Sequence, residues 1–316
     1  MSWERILQND RPDEPLRPRI DALFTEQREN WPMLRDGEAS LGQLQRKTLT
    51  SDHENIVVQV NPARRRSTLA KTDASSIAAR RCFLCPDNMP IEERGVAFEG
   101  LVVMPNPFPV LPMHCTIAAL EHCPQQIAGR VECLLRLAEQ IGPDMAAFYN
   151  GPRCGASAPD HFHFQAALAK EIPTLRQQPE TPASRSIVAA SRFGRHMFVA
   201  RDGELSAAAS AVERAIDAMR EIQGSADEPM LNLLAHHNGG LYTVILFPRR
   251  AHRPACYFAT GAEQLLISPA VLEMCGILVA TEAEHFERID AKIARDIYQE
   301  VSISDADFER IASKIA

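Results

Sequence analysis

Apolar residues recur at three- and four-residue spacing in "PQQIAGRVECLLRLAEQIG", residues 124–142, through Ile127, Val131, Leu134, Leu135 and Ala138. That spacing predicts an amphipathic helix, with Pro124 in its first turn and Gly142 at its stop. "SAAASAVERAIDAMREIQG", 206–224, predicts a second helix ended by Gly224. A third, capped by Ser304 or Asp305, holds Phe308, Ile311 and Ile315. Short apolar runs punctuated by Pro, Gly and Asn predict strands: 55–62, ending at Asn61-Pro62; the two extended pieces of 98–112; and 115–120. "AAFYN" and "HFHFQAALA" predict two strands joined by the loop "GPRCGASAP", and "MLNLLAHHNGGLYTVILFP" predicts a hairpin turning at Asn238-Gly239. The first 50 residues are polar, with Trp3 and Trp31 as isolated anchors, and predict helical segments with connecting loops. No internal repeat is visible. Strands and helices mixed without strict alternation predict an α+β fold.

The run "HFHFQ", 161–165, alternates strictly. In a strand, His161, His163 and Gln165 share one face while Phe162 and Phe164 point the other way, into a core. Same-face neighbours lie about 6.6 Å apart, so two imidazoles can do separate jobs on one ligand. A solvated strand face, or a zinc site using both histidines, would give the same pattern. The sequence "CFLCPDN" places Cys82 and Cys85 at the spacing of a zinc half-site. Two thiolates need two further ligands for a tetrahedral shell, and His114, His122, His161 and His163 are the candidates. A redox pair or two plain buried cysteines are the competing readings; no strand-to-helix turn of a clear βαβ unit surrounds the pair. The other six cysteines lack paired spacing and read as small core residues.

Composition narrows the class. A chain of 316 residues with 45% hydrophobic and 24% charged residues is an ordinary globular protein of one large domain or two fused modules. A net charge of −7 argues against a nucleic-acid partner, leaving room for a local basic pocket. No basic start leads into an apolar run and no stretch reaches membrane-spanning length, so a cytoplasmic protein with reduced cysteines is expected.

The order "CFLCPDN", "PNPFPVLPMHCTIAALEH", "NGPRCGASAPDHFHFQ" resembles the galactose-1-phosphate uridylyltransferase branch of the histidine-triad superfamily. "HFHFQAALAKEIP" and "ISPAVLEMCGILVATEAEHFERI" look more like GDP-L-galactose phosphorylase and its bacterial relatives. The resemblance covers roughly residues 55–300. It implies an α+β protein of two fused histidine-triad-like halves, with a mostly antiparallel sheet and flanking helices. Residues 1–50 would be a helical or irregular lead, 51–170 the catalytic half with the zinc site, and 171–316 the second half closing the pocket.

The resemblance implies a structural zinc held by Cys82, Cys85, His122 and His161, with His114 as the alternative fourth ligand, and His163 as a nucleophile attacking an α-phosphate. Gln165, Ser157 and the loop amides near Gly155 would donate to the transferring group. Asn106 matches the nucleotide-side Asn and Asn150 the Asn before the phosphate loop, with a simple turn residue as the plainer reading of Asn150. Pro107 follows Asn106 where the uridylyltransferases carry Asp, which removes their ribose contact, and Asp87 stands where Gly is usual. "NPARRRSTLAK" concentrates Arg64, Arg65, Arg66 and Lys71, and "FPRRAHRP" concentrates Arg249, Arg250, His252 and Arg253; each reads either as a solvated loop or as a phosphate-facing cluster. Gln at the third position, where hydrolases of the superfamily carry His, cannot titrate and suits a transferase or phosphorylase.

The implied activity is nucleotidyl transfer through a nucleotidyl-histidine. Phosphorolysis of a nucleotide-sugar such as a GDP-hexose, with inorganic phosphate as co-substrate, comes first. A diadenosine polyphosphate phosphorylase follows, and a hexose-1-phosphate uridylyltransferase third, because both spacers of His-x-His-x-Gln are Phe. A nucleotide-sensing module without turnover is the non-enzyme alternative. Relatives of this type also make a homodimer an option.

Overall fold

A computed structural model describes residues 2–51, 54–61, 74–177, 187–224 and 227–315. The polar lead forms helices Leu16–Asn30 and Pro32–Leu41, and Trp31 is buried between them at 2% exposure. Strands β1 (Gln45–Ser51) and β2 (Glu54–Val60) form a hairpin. β3 (Val96–Phe98), β4 (Leu101–Pro105) and β5 (Cys115–Ala119) follow as a meander. The helix Val131–Ile141 leads to β6 (Met145–Asn150) and β7 (His163–Leu168). A second course repeats this plan: β8 (Ile187–Arg192) and β9 (Arg195–Asp202), the helix Leu205–Gln223, then β10 (Leu231–Asn238) and β11 (Leu241–Pro248). β12 (Ile277–Ala280) pairs in parallel with β2, and the chain closes on helices Ala291–Val301 and Asp305–Ile315.

Among the described residues the strands make two sheets. One holds β1-β2-β12; the other runs β3-β4-β5-β7-β6-β10-β11-β9-β8. The larger sheet contains the same arrangement twice. In the order β4-β5-β7-β6, a hairpin is followed by a crossover helix and a second hairpin whose last strand lies inside; β8-β9-β11-β10 has the same order. The two sets meet at β6 and β10, which pair antiparallel from Asn150↔Asn232 to Ala147↔Ala235. The fold is α+β, built of two fused histidine-triad-like halves. The repeat does not show in the residues because the corresponding faces carry different side chains. β7 presents His163, Gln165 and Ala167 on the face where β11 presents Thr243, Ile245 and Phe247.

Three layers result. One face of the large sheet, with Ile117, Tyr149, Phe162, Phe164, Leu233 and Val244, packs on the apolar stripes of helices Val131–Ile141 and Leu205–Gln223. Phe162 and Phe164 are fully buried there, as the alternating run predicted, and each contributes about 1.5–3 kcal/mol through burial. The other face, with Ala146, Phe148, Ala167, Leu234 and Ile245, packs beneath Ile56, Val58 and Val60 of β2 and Leu278 of β12. The small sheet therefore takes strands from both ends of the chain and spans the residue-170 boundary expected between halves.

Two elements differ from the sequence pattern. The helix expected from Pro124 begins at Val131. The backbone N–H of Gln125 is taken by the Pro159 carbonyl and that of Ile127 by the Glu228 carboxylate, so the preceding turn is drawn into tertiary contacts instead. The hairpin turn is Gly239-Gly240, one residue later than expected, with φ of 60° and 76°. Asn238 closes the ladder against Leu241, and two consecutive left-handed positions favour the two glycines.

Candidate active site and metal centre

Cys82, Cys85, His122 and His161 converge, with their ligand atoms all within 4.8 Å of one another. Cys82 Sγ lies 3.3 Å from His161 Nδ1, Cys85 Sγ 3.3 Å from His122 Nδ1 and 3.7 Å from His161 Nδ1. A tetrahedral zinc with ordinary bond lengths needs S···N separations of about 3.6 Å, so the donor set fits that ion. His161 Nε2 lies 2.8 Å from the Ala119 carbonyl, which holds the proton on Nε2 and leaves Nδ1 as the ligating atom. Burial also pushes the Cys82 thiol up to about 11, so a nearby cation is what would keep it as thiolate.

His114 does not join this cluster. Its Nδ1 accepts from the Val110 N–H at 3.1 Å, which puts the proton on Nε2, and Nε2 donates to Gln165 Oε1 at 2.7 Å. Gln165 therefore offers only its NH₂ to anything further. Among the described residues that NH₂ has no hydrogen-bond partner.

His163 opens β7, one rung from the metal cluster, and is 3% exposed. Its Nδ1–H donates to the His161 carbonyl at 2.9 Å, so the ring is the tautomer with a lone pair on Nε2. Burial lowers its pKa to about 4, which keeps the imidazole neutral at pH 7. The β6–β7 ladder stops at Phe148↔Gln165, and beyond it the strands separate. Gln125 fills the gap. Its Oε1 accepts from the His163 N–H at 2.7 Å, and its Nε2 donates to the carbonyls of Asn150 and His163, both at 2.9 Å. No pattern in the sequence singles out Gln125; its partners lie 25 and 38 residues away.

Asn106 Nδ2 donates to Thr116 Oγ1 at 3.2 Å, and its Oδ1 caps the Phe108 N–H at 2.9 Å. Thr116 sits opposite Gln165 in the β5–β7 ladder, which places Asn106 at the edge of the same face. Asn150 ends β6, 5% exposed, across from His163. Gly155 sits at φ +102°, and a Cβ there would meet Ala270 Cβ at 2.6 Å, so the loop after β6 is pressed on the segment from the second half. Ser157 is half-buried in that loop, its carbonyl accepting from Arg80 Nη2 at 3.3 Å. Arg64, Arg65, Arg66 and Lys71 lie outside the described residues.

The arginines of "FPRRAHRP" separate into different tasks. Arg249 is fully buried on backbone carbonyls and Asn232, and Arg250 binds the carbonyls of Glu300 and Gln299. Arg253 donates to Ser268 Oγ at 3.0 Å and lies over the Tyr257 ring.

A mostly antiparallel sheet of two like halves, with His163 and Gln165 on one face of one half, is a fold of the histidine-triad type. Residues 178–316 match the family model "GDPGP1-like, C-terminal domain", and residues 23–168 match "Domain of unknown function (DUF4922)". The structure is similar to the crystal structure of yeast Ap4A phosphorylase Apa2, with TM-score 0.55 and 16% identity over 92% of this chain and 95% of that one. The same yeast enzyme in complex with AMP matches at TM-score 0.52 and 15% identity, over 86% of this chain and 95% of that one. No curated protein sequence matches this chain. The two family models lie side by side along the chain, and the likeness to the yeast enzyme is one of fold. Among the described residues no helix is long and apolar enough to cross a membrane.

Proposed function

We propose that the protein is a nucleotide phosphorylase that works through a nucleotidyl-histidine at His163. The observation carrying this reading is the fixed tautomer: Nδ1–H is engaged by the His161 carbonyl, and Nε2 has no hydrogen-bond partner among the described residues. Nε2 attacks the α-phosphorus of a phosphoanhydride. The Pα–N bond forms as the bond from Pα to the bridging oxygen breaks, and the leaving phosphate departs with the electron pair. The His161 carbonyl, already bonded to Nδ1–H, stabilises the positive charge that develops on the ring. An oxygen of inorganic phosphate then attacks Pα, the Pα–N bond breaks, and a nucleoside diphosphate leaves with His163 neutral again. The Gln165 NH₂, oriented through His114, donates to a non-bridging oxygen, and Ser157 and the loop amides at Gly155 add donors. Because Gln165 cannot titrate, it assists a phosphate leaving group, which needs no proton, and gives no help to water.

The first half, 51–170, carries this chemistry, and 171–316 closes it. A zinc ion on Cys82, Cys85, His122 and His161 would be structural: it would tie the cysteine loop to the start of β7 and leave His163 to act alone. A nucleotide-sugar of the GDP-hexose type is the substrate read first, supported by the family match over 178–316. A dinucleoside polyphosphate is the second, favoured by the end-to-end likeness to an Ap4A phosphorylase.

Incubation with α-³²P-labelled GDP-hexose or Ap4A, with and without phosphate, separates these. The expected result is nucleoside diphosphate release with phosphate and an acid-labile protein label without it, both absent in His163→Ala. Full turnover by His163→Ala would overturn the proposal, and binding without label or release would favour the sensing module.

A further inference from the structure

Asn150 lies on the same sheet face as His163, and its amide cannot turn over. Oδ1 accepts from Asn232 Nδ2 at 2.8 Å and from the backbone N–H of Val271, the first residue of the helix Val271–Met274, at 2.8 Å. Asn232 is fully buried opposite Asn150 in the β6–β10 ladder. Its Nδ2 also donates to the Cys154 carbonyl at 2.8 Å, and its Oδ1 accepts from Arg249 Nη1. Arg249 is fully buried as well. Nε donates to the Val301 carbonyl at 3.2 Å, and Nη2 lies 3.0, 3.2 and 3.1 Å from the carbonyls of Ala251, His252 and Pro269.

The polarity of this relay runs one way. A guanidinium only donates, so it fixes the Asn232 oxygen towards itself. That turns the Asn232 NH₂ to Asn150 and Cys154, which turns the Asn150 oxygen to Asn232 and Val271. The Asn150 NH₂ is what remains, and among the described residues it has no hydrogen-bond partner. Gln165 reaches the same state by a separate route through His114. Two amides, on β6 and β7, are thus locked through their oxygens, on the sheet face that carries His163.

We propose that Asn232 and Arg249, from the second half, are positioning residues that hold Asn150 as an N–H donor to the phosphoryl group transferred at His163. This rests on the reading of His163 given above. A buried arginine with no carboxylate among its bonded partners is costly as a mere fastener. Here its inability to accept hydrogen bonds sets the direction of two amides, a task no neutral side chain performs as surely. A donor to charge that develops in the transition state is worth on the order of 10²–10³ in kcat.

Asn232→Asp tests the relay. It keeps the shape and gives Arg249 a carboxylate, which offsets the oxygen now set against the Cys154 carbonyl, and it cannot donate to Asn150 Oδ1. Asn150 then turns its NH₂ towards Asp and its oxygen to the cleft. The expected result, with GDP-hexose and Ap4A assayed in parallel with phosphate, is a cooperative unfolding transition showing a folded protein, a fall in kcat of at least tenfold, and KM within threefold. Val271→Pro perturbs the same oxygen independently, since proline suits a first helical position and removes the N–H, though it also replaces a side chain buried in the core; it decides the matter should the first variant not fold, with the same drop in kcat expected. Wild-type kcat in either folded variant overturns the relay. His163→Ala serves as the control: if it still turns over, the nucleophile reading has failed, whatever the relay variants do.

Discussion

Gln125 is the residue whose removal should be most instructive. It is 1% exposed, and its amide makes three hydrogen bonds that replace the missing rungs between β6 and β7. Gln125→Ala removes all three. At about 1 kcal/mol net for each bond, the loss is about 3 kcal/mol, and it grows if the His163 N–H and the carbonyls of Asn150 and His163 stay dry and unpaired. Gln125→Glu separates bonding from packing. It keeps the volume and the acceptor for the His163 N–H but sets a carboxylate oxygen against two carbonyls. At pH 7 it should be at least as destabilised as the alanine variant, recovering part of the loss near pH 5, where a protonated carboxyl donates to one of them. Urea unfolding at both pH values measures this, and turnover should fall by about 10² in both variants as the start of β7 loosens. The hydrogen-bond argument is refuted if Gln125→Ala lies within 1 kcal/mol of wild type, or if Gln125→Glu matches wild type at pH 7.

The metal centre should bind one zinc ion per chain by elemental analysis, and chelation should expose Cys82 and Cys85 to alkylation. Cys85→Ala should lose the ion and lower Tm by about 10 °C, because binding energy at such a site is folding energy; unchanged metal content would refute the assignment. Glu93 is 9% exposed, and burial raises its carboxyl to about 8, with Arg5 opposing the shift. A carboxyl raised in the folded state contributes stability fully below its unfolded pKa, near 4.5, and loses it as pH rises through 8. Glu93→Gln should therefore match wild type at pH 4–5 and exceed it at pH 9, by at most a few kcal/mol; a wild type that gains stability between pH 5 and 8 relative to the variant would contradict this.

The parts legible in the sequence were those whose signal is local. Strict alternation gave the shared face of His163 and Gln165 and the buried face of Phe162 and Phe164, because strand periodicity is local; His161 lies just before β7, near Cys82. The spacing of Cys82 and Cys85 pointed to a half-site, and both join a Cys/His cluster that could hold a metal. The choice between His114 and His122 was not local: both lie near β5, and only the fold turns His114 towards Gln165 and His122 towards Cys85. Gln125 and Asn232 carried no signal, since an isolated amide gains its meaning from backbone groups tens of residues away. Helical periodicity in 124–142 overreached at its start, where Gln125 and Ile127 are claimed by Pro159 and Glu228.

The duplicated sheet gives a physical reason for the proposed chemistry to sit in one half while its supports come from the other. On β11 the positions facing the site side are Thr243, Ile245 and Phe247, and the last two are buried against the small sheet and its helices. That face is closed by packing, so a second imidazole there would have neither a cleft nor a Gln125 to seat it. What the second half supplies instead comes from β10 and the segments after β11, at the seam. Asn232 lies opposite Asn150, Val271 and Ala270 meet the loop after β6, and Arg249 braces all of them from within. Cutting the chain at the boundary near residue 170 would free β6 as an open sheet edge and release the Asn150 oxygen at the same stroke. Sheet continuity and site geometry thus depend on the same few rungs, which is a physical reason for the two halves to stay fused although only one carries the histidines.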